Sequence, residues 1–133
     1  MYDDEVELEK EDIDFEIAFC EGLIRKNPDH VQALKLLGDL YTKKGSIEKG
    51  LQIDEYLSQL QPQDPFVFYN LACSYSLLNH TDKAFRSIKM AIKYGYRDFD
   101  HLREDSDLEN LRNDYRFKRY FSRVEKRLKE EQL

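Results

Sequence analysis

Two stretches of this sequence decide its fold: residues 31–44 read VQALKLLGDLYTKK, and residues 65–78 read PFVFYNLACSYSLL. The apolar and small positions of the first stretch return in the second after 34 residues. The matching pairs are Leu34 and Phe68, Leu37 and Leu71, Gly38 and Ala72, and Tyr41 and Tyr75. Their spacing of i, i+3, i+4 and i+7 places each set on one face of a helix. The two stretches therefore predict amphipathic helices, and the fixed interval predicts a repeat architecture.

A turn and a second helix follow each of these helices at the same interval. Gly45 and Asn79 are residue types that readily take the left-handed backbone conformation after a helix. Second helices are predicted over residues 46–60 and 81–94, with Gly50 and Ala84 as small residues where the helices cross. The chain is therefore predicted to be all-α and to contain antiparallel helix pairs of 34 residues.

These positions resemble the tetratricopeptide repeat (TPR), whose signature runs W-x2-L-G-x2-Y, then A-x3-F, then P. The first copy fills five slots with Leu34, Leu37, Gly38, Tyr41 and Pro62, and the second fills six with Phe68, Leu71, Ala72, Tyr75, Ala84 and Ile88. The resemblance implies a TPR-type α-α superhelix in a single domain. Its expected parts are an acidic N-terminal segment (1–11), a half repeat (12–28), two repeats (31–64 and 65–98) and a C-terminal capping segment (99–133).

Asp54 departs from the repeat signature, because it puts a carboxylate where an aromatic contact is expected. Two interpretations are open. Either the second helix is rotated so that other residues form its buried stripe, or this junction between helices is locally weak. The residues of the rotated stripe would be Ile53, Tyr56, Leu57 and Leu60.

The capping segment resembles a sequence that ends many bacterial TPR arrays, with the core D-x-D-L-x-x-L-R-x-D-P-R-F. The matching residues are Asp105, Asp107, Leu108, Leu111, Arg112, Asp114, Arg116 and Phe117, while Tyr115 replaces the proline. Asp114 is a predicted N-cap of the last helix. That helix has an apolar stripe of Phe117, Phe121, Val124 and Leu128 with a polar outer face, as a cover for a terminal repeat requires.

The first helix carries two apolar stripes, so we expect it to be buried from two sides. One stripe contains Ile13, Ile17, Cys20 and Ile24, and the other contains Phe15, Phe19 and Leu23. As the second helix of a half repeat, it would leave Ile13, Ile17 and Cys20 open unless residues 1–11 or another molecule covers them. Residues 1–11 themselves are expected to be frayed or loosely attached.

Charge is unevenly distributed along the 133 residues, whose formal net charge is -6. Residues 1–12 hold seven acids and one lysine, whereas residues 112–129 hold eight bases and two acids. These ends are either solvated faces or the basis of a weak homo-oligomer that low salt would strengthen. The sequence contains no long apolar run, and its start is acidic, so we expect no membrane insertion, no signal peptide and a cytoplasmic location.

Patterns for catalysis, cofactors or metals were not found. The histidines His30, His80 and His101 have no partners at nucleophile or metal-ligand spacing, and Cys20 and Cys73 lack a C-x-x-C arrangement. We therefore expect no enzyme activity, no cofactor, no metal and two reduced cysteines. The acidic balance of the chain also argues against nucleic-acid binding. An enzyme remains the third class, which a closed cluster of pKa-shifted His or Asp side chains would favour.

In a TPR stack the opening helices line a concave groove, and this resemblance implies where a partner binds. The predicted groove residues are Gln32, Lys35, Asp39, Thr42 and Lys43 on the first opening helix, and Phe66, Tyr69, Asn70, Cys73 and Ser76 on the second. They suit a peptide or helix with an apolar anchor and polar groups. For Phe66 and Tyr69 the alternative is that they support the core between repeats or the capping segment.

Chaperone-type TPR domains hold a terminal carboxylate with Lys and Asn side chains, and this carboxylate clamp is not expected here. Asp39 replaces one asparagine, and the bases of the third helix would fall at the acidic Asp100 and Glu104. The predicted function is a non-catalytic adaptor or scaffold for a protein or peptide partner. The alternative is an assembly protein that self-associates through the open face of its first helix.

Overall fold

Left-handed residues end the two opening helices, as the sequence predicts. Gly45 has a φ of 89° and Asn79 a φ of 60°. The computed structural model describes the backbone of residues 2–132 and the side chains of residues 9–132. Within residues 2–132 every regular element is helical, so the predicted all-α class is confirmed.

Eight α-helices and one short 3-10 turn make up the described chain. Their bounds are α1 Tyr2–Lys26, α2 Val31–Lys44, α3 Ile47–Leu60, α4 Pro65–Leu77, α5 Thr81–Lys93, α6 Phe99–Glu104, the 3-10 turn Ser106–Leu108, α7 Glu109–Arg112 and α8 Tyr115–Glu131. The predicted bounds of α2 are reproduced, and those of α3, α4 and α5 differ by one residue at one end. In the described range no helix is long and apolar enough to cross a membrane.

Each of the first four helices packs on the next, and α4 lies at the centre of the chain. It contacts α3 and α5, and it also contacts the 3-10 turn and α7 of the capping segment. Leu102, Leu108 and Leu111 are fully buried in that segment. Together with Phe117 and Phe121 of α8 they join the core of α4 and α5. Asp114 accepts a hydrogen bond from the N–H of Arg116, which confirms it as the N-cap of α8.

The start of the chain continues the first helix. Residues 2–11 belong to one continuous helix of 25 residues that ends at Lys26. They are therefore not a separate first helix packed against the half repeat, and their loose attachment stays a prediction. The first residue, and the side chains of residues 2–8 with most of the acids, lie outside the described part.

The two apolar stripes of α1 also have different surroundings from those expected. Ile17 and Cys20 are buried against Leu37 and Leu40 of α2. The stripe that was expected to be open is therefore covered from within the chain. Phe15 and Phe19 on the other stripe are 72% and 60% exposed, so α1 is buried from one side only.

Close approach of α2 and α3 depends on two glycines. A Cβ at Gly50 would lie 2.9 Å from Oγ1 of Thr42 and 3.3 Å from the carbonyl oxygen of Gly38. The first distance is shorter than packed side chains allow, and the second would require the neighbouring backbone to shift. Position 50 therefore requires glycine, and a small side chain alone is not sufficient there.

Candidate functional site

A cavity of about 220 Å³ lies between α2, α4 and the residues around the 3-10 turn. We call it the polar pocket. Its lining residues are Asp39, Thr42, Lys43, Asp54, Tyr69, Asn70, Cys73, Ser74, His101, Asp105 and Asp107. Four carboxylates face two basic side chains, one of which is a histidine, so the pocket has an acidic lining.

Six of the ten predicted groove residues line the polar pocket. They are Asp39, Thr42, Lys43, Tyr69, Asn70 and Cys73. The fold thus brings residues from both opening helices to one cavity, although they are about 30 positions apart in the chain. The remaining four are Gln32, Lys35, Phe66 and Ser76.

Asp54 is the buried carboxylate of the polar pocket, with only 6% of its surface exposed. The hydroxyl of Ser74 donates a hydrogen bond to its Oδ2 at 2.7 Å. Desolvation raises the pKa of Asp54 to about 7; the Ser74 bond lowers it in part, and the nearby Asp39 raises it further. The rotated stripe predicted from the sequence is wrong, because Asp54 and Leu57 are both buried while Tyr56 is exposed. A weak junction stays a prediction, although the carboxylate has a hydrogen-bond donor in Ser74.

Two carboxylates nearer the surface of the pocket also have raised pKa values. Desolvation raises the pKa of Asp39, and Lys43 offsets part of the effect. Desolvation and the neighbouring Asp105 raise the pKa of Asp107. These shifts share a physical cause, which is the desolvation of each carboxylate by burial. A positive charge entering the pocket would favour the ionised forms.

Asp105 organises the side of the pocket formed by the capping segment. Its carboxylate accepts hydrogen bonds from the hydroxyl of Tyr69 at 2.6 Å and from the N–H of Asp107 at 3.0 Å. Nε2 of His101 lies 3.3 Å from the same carboxylate. Asp105 therefore links α4 to the 3-10 turn. Together with Asp107 it forms the acidic wall of the pocket.

Three predicted groove residues are buried, which corrects the prediction that they are available to a partner. Tyr69 is 6% exposed, and its ring stacks on Tyr96 with centroids 4.4 Å apart. Cys73 is 7% exposed. Ser76 is fully buried, and its hydroxyl accepts a hydrogen bond from the N–H of Leu111. These side chains support the capping segment, which was the alternative reading for Tyr69.

The other groove positions differ in how accessible they are. Lys35 forms an ion pair with Asp64 at 2.9 Å. Burial opposes ionisation of Asp64, but the bonds from Lys35 and from the N–H of Phe66 lower its pKa overall. Lys35 is thus engaged in fastening α2 to the start of α4. Phe66 is 63% exposed one helical turn before Tyr69, and Gln32 is exposed as well.

The thiol of Cys73 in the polar pocket is not activated as a nucleophile. A nucleophilic cysteine needs a lowered pKa. Burial, with help from Asp105, instead raises the pKa of the Cys73 thiol well above its usual value. Within the described side chains, no group of three or more His, Cys, Asp or Glu residues is arranged to hold a metal ion. The carboxylates of the polar pocket can instead pair with a positively charged organic group, such as a lysine or arginine side chain.

Sequence reasoning missed five lining residues of the pocket. They are Asp54, Ser74, His101, Asp105 and Asp107. Asp54 was visible as an anomaly in the repeat signature, and a polar partner such as Ser74 could have been sought for it. Asp105 and Asp107 were recognised only as parts of the terminal motif, because their position next to α4 depends on the tertiary fold.

The chain is similar in sequence to part of a longer plant protein. No family model matches the sequence. The sequence is similar to a chloroplastic protein of Arabidopsis thaliana, with 35% identity over 97 residues. The matched region is 69% of this chain and 29% of that protein. The chain therefore spans less than a third of the length of that relative.

Proposed function

We propose that this chain is a TPR-type, non-catalytic binding module that receives a peptide or helix of a partner protein on the face formed by α2 and α4. The proposal of TPR architecture is supported by the 34-residue interval, which relates the starts of α2 and α4 at Val31 and Pro65 and the left-handed residues Gly45 and Asn79. Modules of this kind act as adaptors or scaffolds. The cytoplasmic location stays a prediction, and the name of the relative places that protein in the chloroplast.

The observation that carries the proposal is the convergence of the predicted groove positions on the polar pocket. Asp39, Lys43 and Asn70 are exposed around a cavity whose inner surface is formed by Asp54 and Tyr69. Concave sites with a few convergent polar groups are the usual form of a binding site. Solvent-exposed residues of α2 and α4 thus surround the opening of the polar pocket.

The acidic lining specifies the partner's chemistry. A lysine or arginine side chain would neutralise carboxylates whose pKa values are raised by desolvation and by each other. Phe66, exposed one turn away along α4, can contact an apolar side chain next to that cation. The best ligand is therefore a basic residue followed or preceded by an apolar one. Binding should strengthen as pH rises from about 5.5 to 8, because deprotonated carboxylates attract the cation.

Selection from a displayed library of random peptides tests this function. The wild type should enrich peptides that pair Lys or Arg with an apolar residue. The double variant Asp39→Lys, Asn70→Ala changes only exposed residues of the pocket and should lose these peptides. Glu48→Lys on α3 is the matched control, because it introduces the same new charge at an exposed residue that does not line the pocket.

Both variants should keep the helical signal of the wild type, so that any loss of binding is local. Equal capture of the selected peptides by the wild type and the pocket variant would show that the pocket is not the binding site. Enrichment of acidic peptides would show that its charge does not select the partner.

Self-association through α1 is the second candidate, and a specific observation supports it. The exposed rings of Phe15 and Phe19 form an apolar surface on α1, the first of the successively packed helices. Exposed apolar patches of this kind often mark protein contacts. The relevant surface is this aromatic stripe, since Ile13, Ile17 and Cys20 face α2.

A further inference from the structure

A second concave surface lies at the opposite end of the chain, where α6 and α7 meet α8. It has a volume of about 620 Å³, and its floor contains the apolar side chains of Leu102, Phe117 and Phe121. Its walls carry mainly lysine and arginine side chains. We call it the basic groove. It is separate from the polar pocket, with which it shares no lining residue.

The cations of the basic groove divide into two groups. Arg103 is paired with Asp100 and Glu125, and Arg112 donates to the carbonyl oxygen of Leu102 at 3.0 Å. Lys118, Lys126 and Lys129 are exposed along one side of α8, and no carboxylate of the described side chains pairs with them. Three uncompensated charges beside an apolar floor favour an acidic ligand that also offers apolar contacts.

The start of α1 has the complementary chemistry. Its described side chains contact α2 from Ile13 and Asp14 onward, and Nζ of Lys44 at the end of α2 lies 2.5 Å from Oδ1 of Asp14. The helix begins at Tyr2, about 16 Å along its axis from Ile13. The sequence of residues 1–12 carries seven acids, and it places Tyr2 and Val6 four positions apart on one face of the helix.

The same copy cannot supply this segment to its own basic groove. α1 packs on α2, whereas the groove belongs to helices that pack on α4 and α5 at the other end of the succession. The segment is part of a continuous helix, so it cannot turn back over α3 and α4. If the segment docks in a basic groove, that groove must therefore belong to another copy.

We propose that the acidic start of α1 of one copy docks in the basic groove of a second copy. Ionised side chains of the segment face Lys118, Lys126 and Lys129, and its apolar face lies on the groove floor. The contact joins two different surfaces, so the assembly is a closed ring where the rotation between copies closes and an open chain where it does not. In either form it grows with protein concentration and weakens with salt.

Sedimentation equilibrium of the full chain tests the contact at about 20 mM and about 500 mM salt, because the screening length falls from roughly 20 Å to roughly 4 Å between them. The wild type should exceed the monomer mass of 16.0 kDa at low salt and approach it at high salt. Reversing the groove with Lys118→Glu, Lys126→Glu and Lys129→Glu should weaken association by about tenfold or more. The matched control reverses three exposed bases on another side of α8, with Arg119→Glu, Arg123→Glu and Arg127→Glu, and should weaken it much less.

A charge exchange makes the test specific. The variant Glu9→Lys, Glu11→Lys, Asp12→Lys has a less acidic segment and an intact basic groove, so it should not associate well alone. The groove-reversed variant should not either. Their mixture should associate, because the unchanged acidic segment of the groove-reversed variant can dock in the unchanged basic groove of the other variant. Restoration in the mixture is the result that a general loss of folding would not produce.

Other outcomes would overturn the proposal. A wild type that stays monomeric at low salt and high concentration has no such contact. A dimer that survives groove reversal and is lost in Phe15→Ser, Phe19→Ser would place the contact on the aromatic stripe of α1. Association that requires added nucleic acid would assign the basic groove to a polyanion. None of these results bears on peptide selection at the polar pocket, so the two proposals fail independently.

Discussion

The hydroxyl of Ser74 on α4 donates a hydrogen bond across 2.7 Å to a carboxylate oxygen of Asp54 on α3. This bond joins two residues that are 20 positions apart and explains how a buried acid is accommodated between helices. It does not remove the cost of ionising that acid, because burial still raises the pKa of Asp54 to about 7. Stability should therefore depend on pH through this one pair.

The first prediction concerns that pH dependence. Between about pH 4 and 7 the folded chain keeps a proton on Asp54 that the unfolded chain has released, so the folded state binds more protons. The free energy of unfolding should consequently fall as pH rises through this window, with Asp54 contributing at most about 1.4 kcal/mol per pH unit. Asp54→Asn keeps an acceptor for Ser74 without the charge, and it should flatten the decline in urea unfolding curves.

Asp100→Asn is the control for this prediction, since the same chemical change occurs at a side chain that is 97% exposed. It should leave the pH profile close to that of the wild type. An unchanged profile in Asp54→Asn would mean that Asp54 is ionised in the folded protein at neutral pH.

The second prediction concerns the crossing of α2 and α3. A Cβ at Gly38 would lie 2.9 Å from Oδ1 of Asp54 and 3.4 Å from Cγ2 of Ile53, and Ser74 holds that carboxylate in place. Gly38→Ala should therefore lower the free energy of unfolding by about 1–3 kcal/mol through overpacking. Urea unfolding followed by circular dichroism measures the change.

Gly22→Ala on α1 provides the matched comparison. There the nearest atom to an added Cβ is Nη2 of Arg25 at 3.7 Å, at the end of a flexible side chain. The alanine should stabilise the helix by about 0.5–1 kcal/mol, because glycine is unfavourable within helices. If Gly38→Ala were stabilising to the same extent, the close approach of the two helices would be wrong.

The third prediction concerns the attachment of the capping segment to α4. Tyr69→Phe removes the hydroxyl that donates to Asp105 at 2.6 Å and leaves the ring that stacks on Tyr96. The free energy of unfolding should fall by about 1–2 kcal/mol, because a partly buried carboxylate loses its donor. Tyr69→Ala also removes the stacked ring and should cost about 3–5 kcal/mol, so it is unsuitable as a probe of partner binding.

Tyr56→Phe is the control, because the hydroxyl of Tyr56 also donates to an aspartate, Asp29, but at an exposed position. Its effect on unfolding should be smaller than that of Tyr69→Phe, since water replaces a lost surface bond. Equal losses in the two variants would show that the bond between Tyr69 and Asp105 does not hold the capping segment.

The positions of the helices could be predicted closely from local signals. The apolar face of α2 was predicted from the spacing of Leu34, Leu37 and Tyr41, and its end from Gly45. Pro65 and Asp114 marked the starts of α4 and α8. The candidate site was predicted in part, because six residues on matching faces of α2 and α4 do line one pocket. The acidic wall was missed, since nothing local connects Asp105 to Tyr69 across 36 positions.

What the sequence determined by itself is the order, type and ends of the helices, because periodicity, turn residues and caps act over a few neighbouring positions. Only the tertiary structure decided which faces are covered. Tyr69 and Ser76 hydrogen-bond to the capping segment, whereas Phe15 and Phe19 are exposed. Asp54 accepts its hydrogen bond from a residue of another helix. The physical reason is that burial and pKa depend on contacts between residues 20 or more positions apart, which a local pattern does not contain.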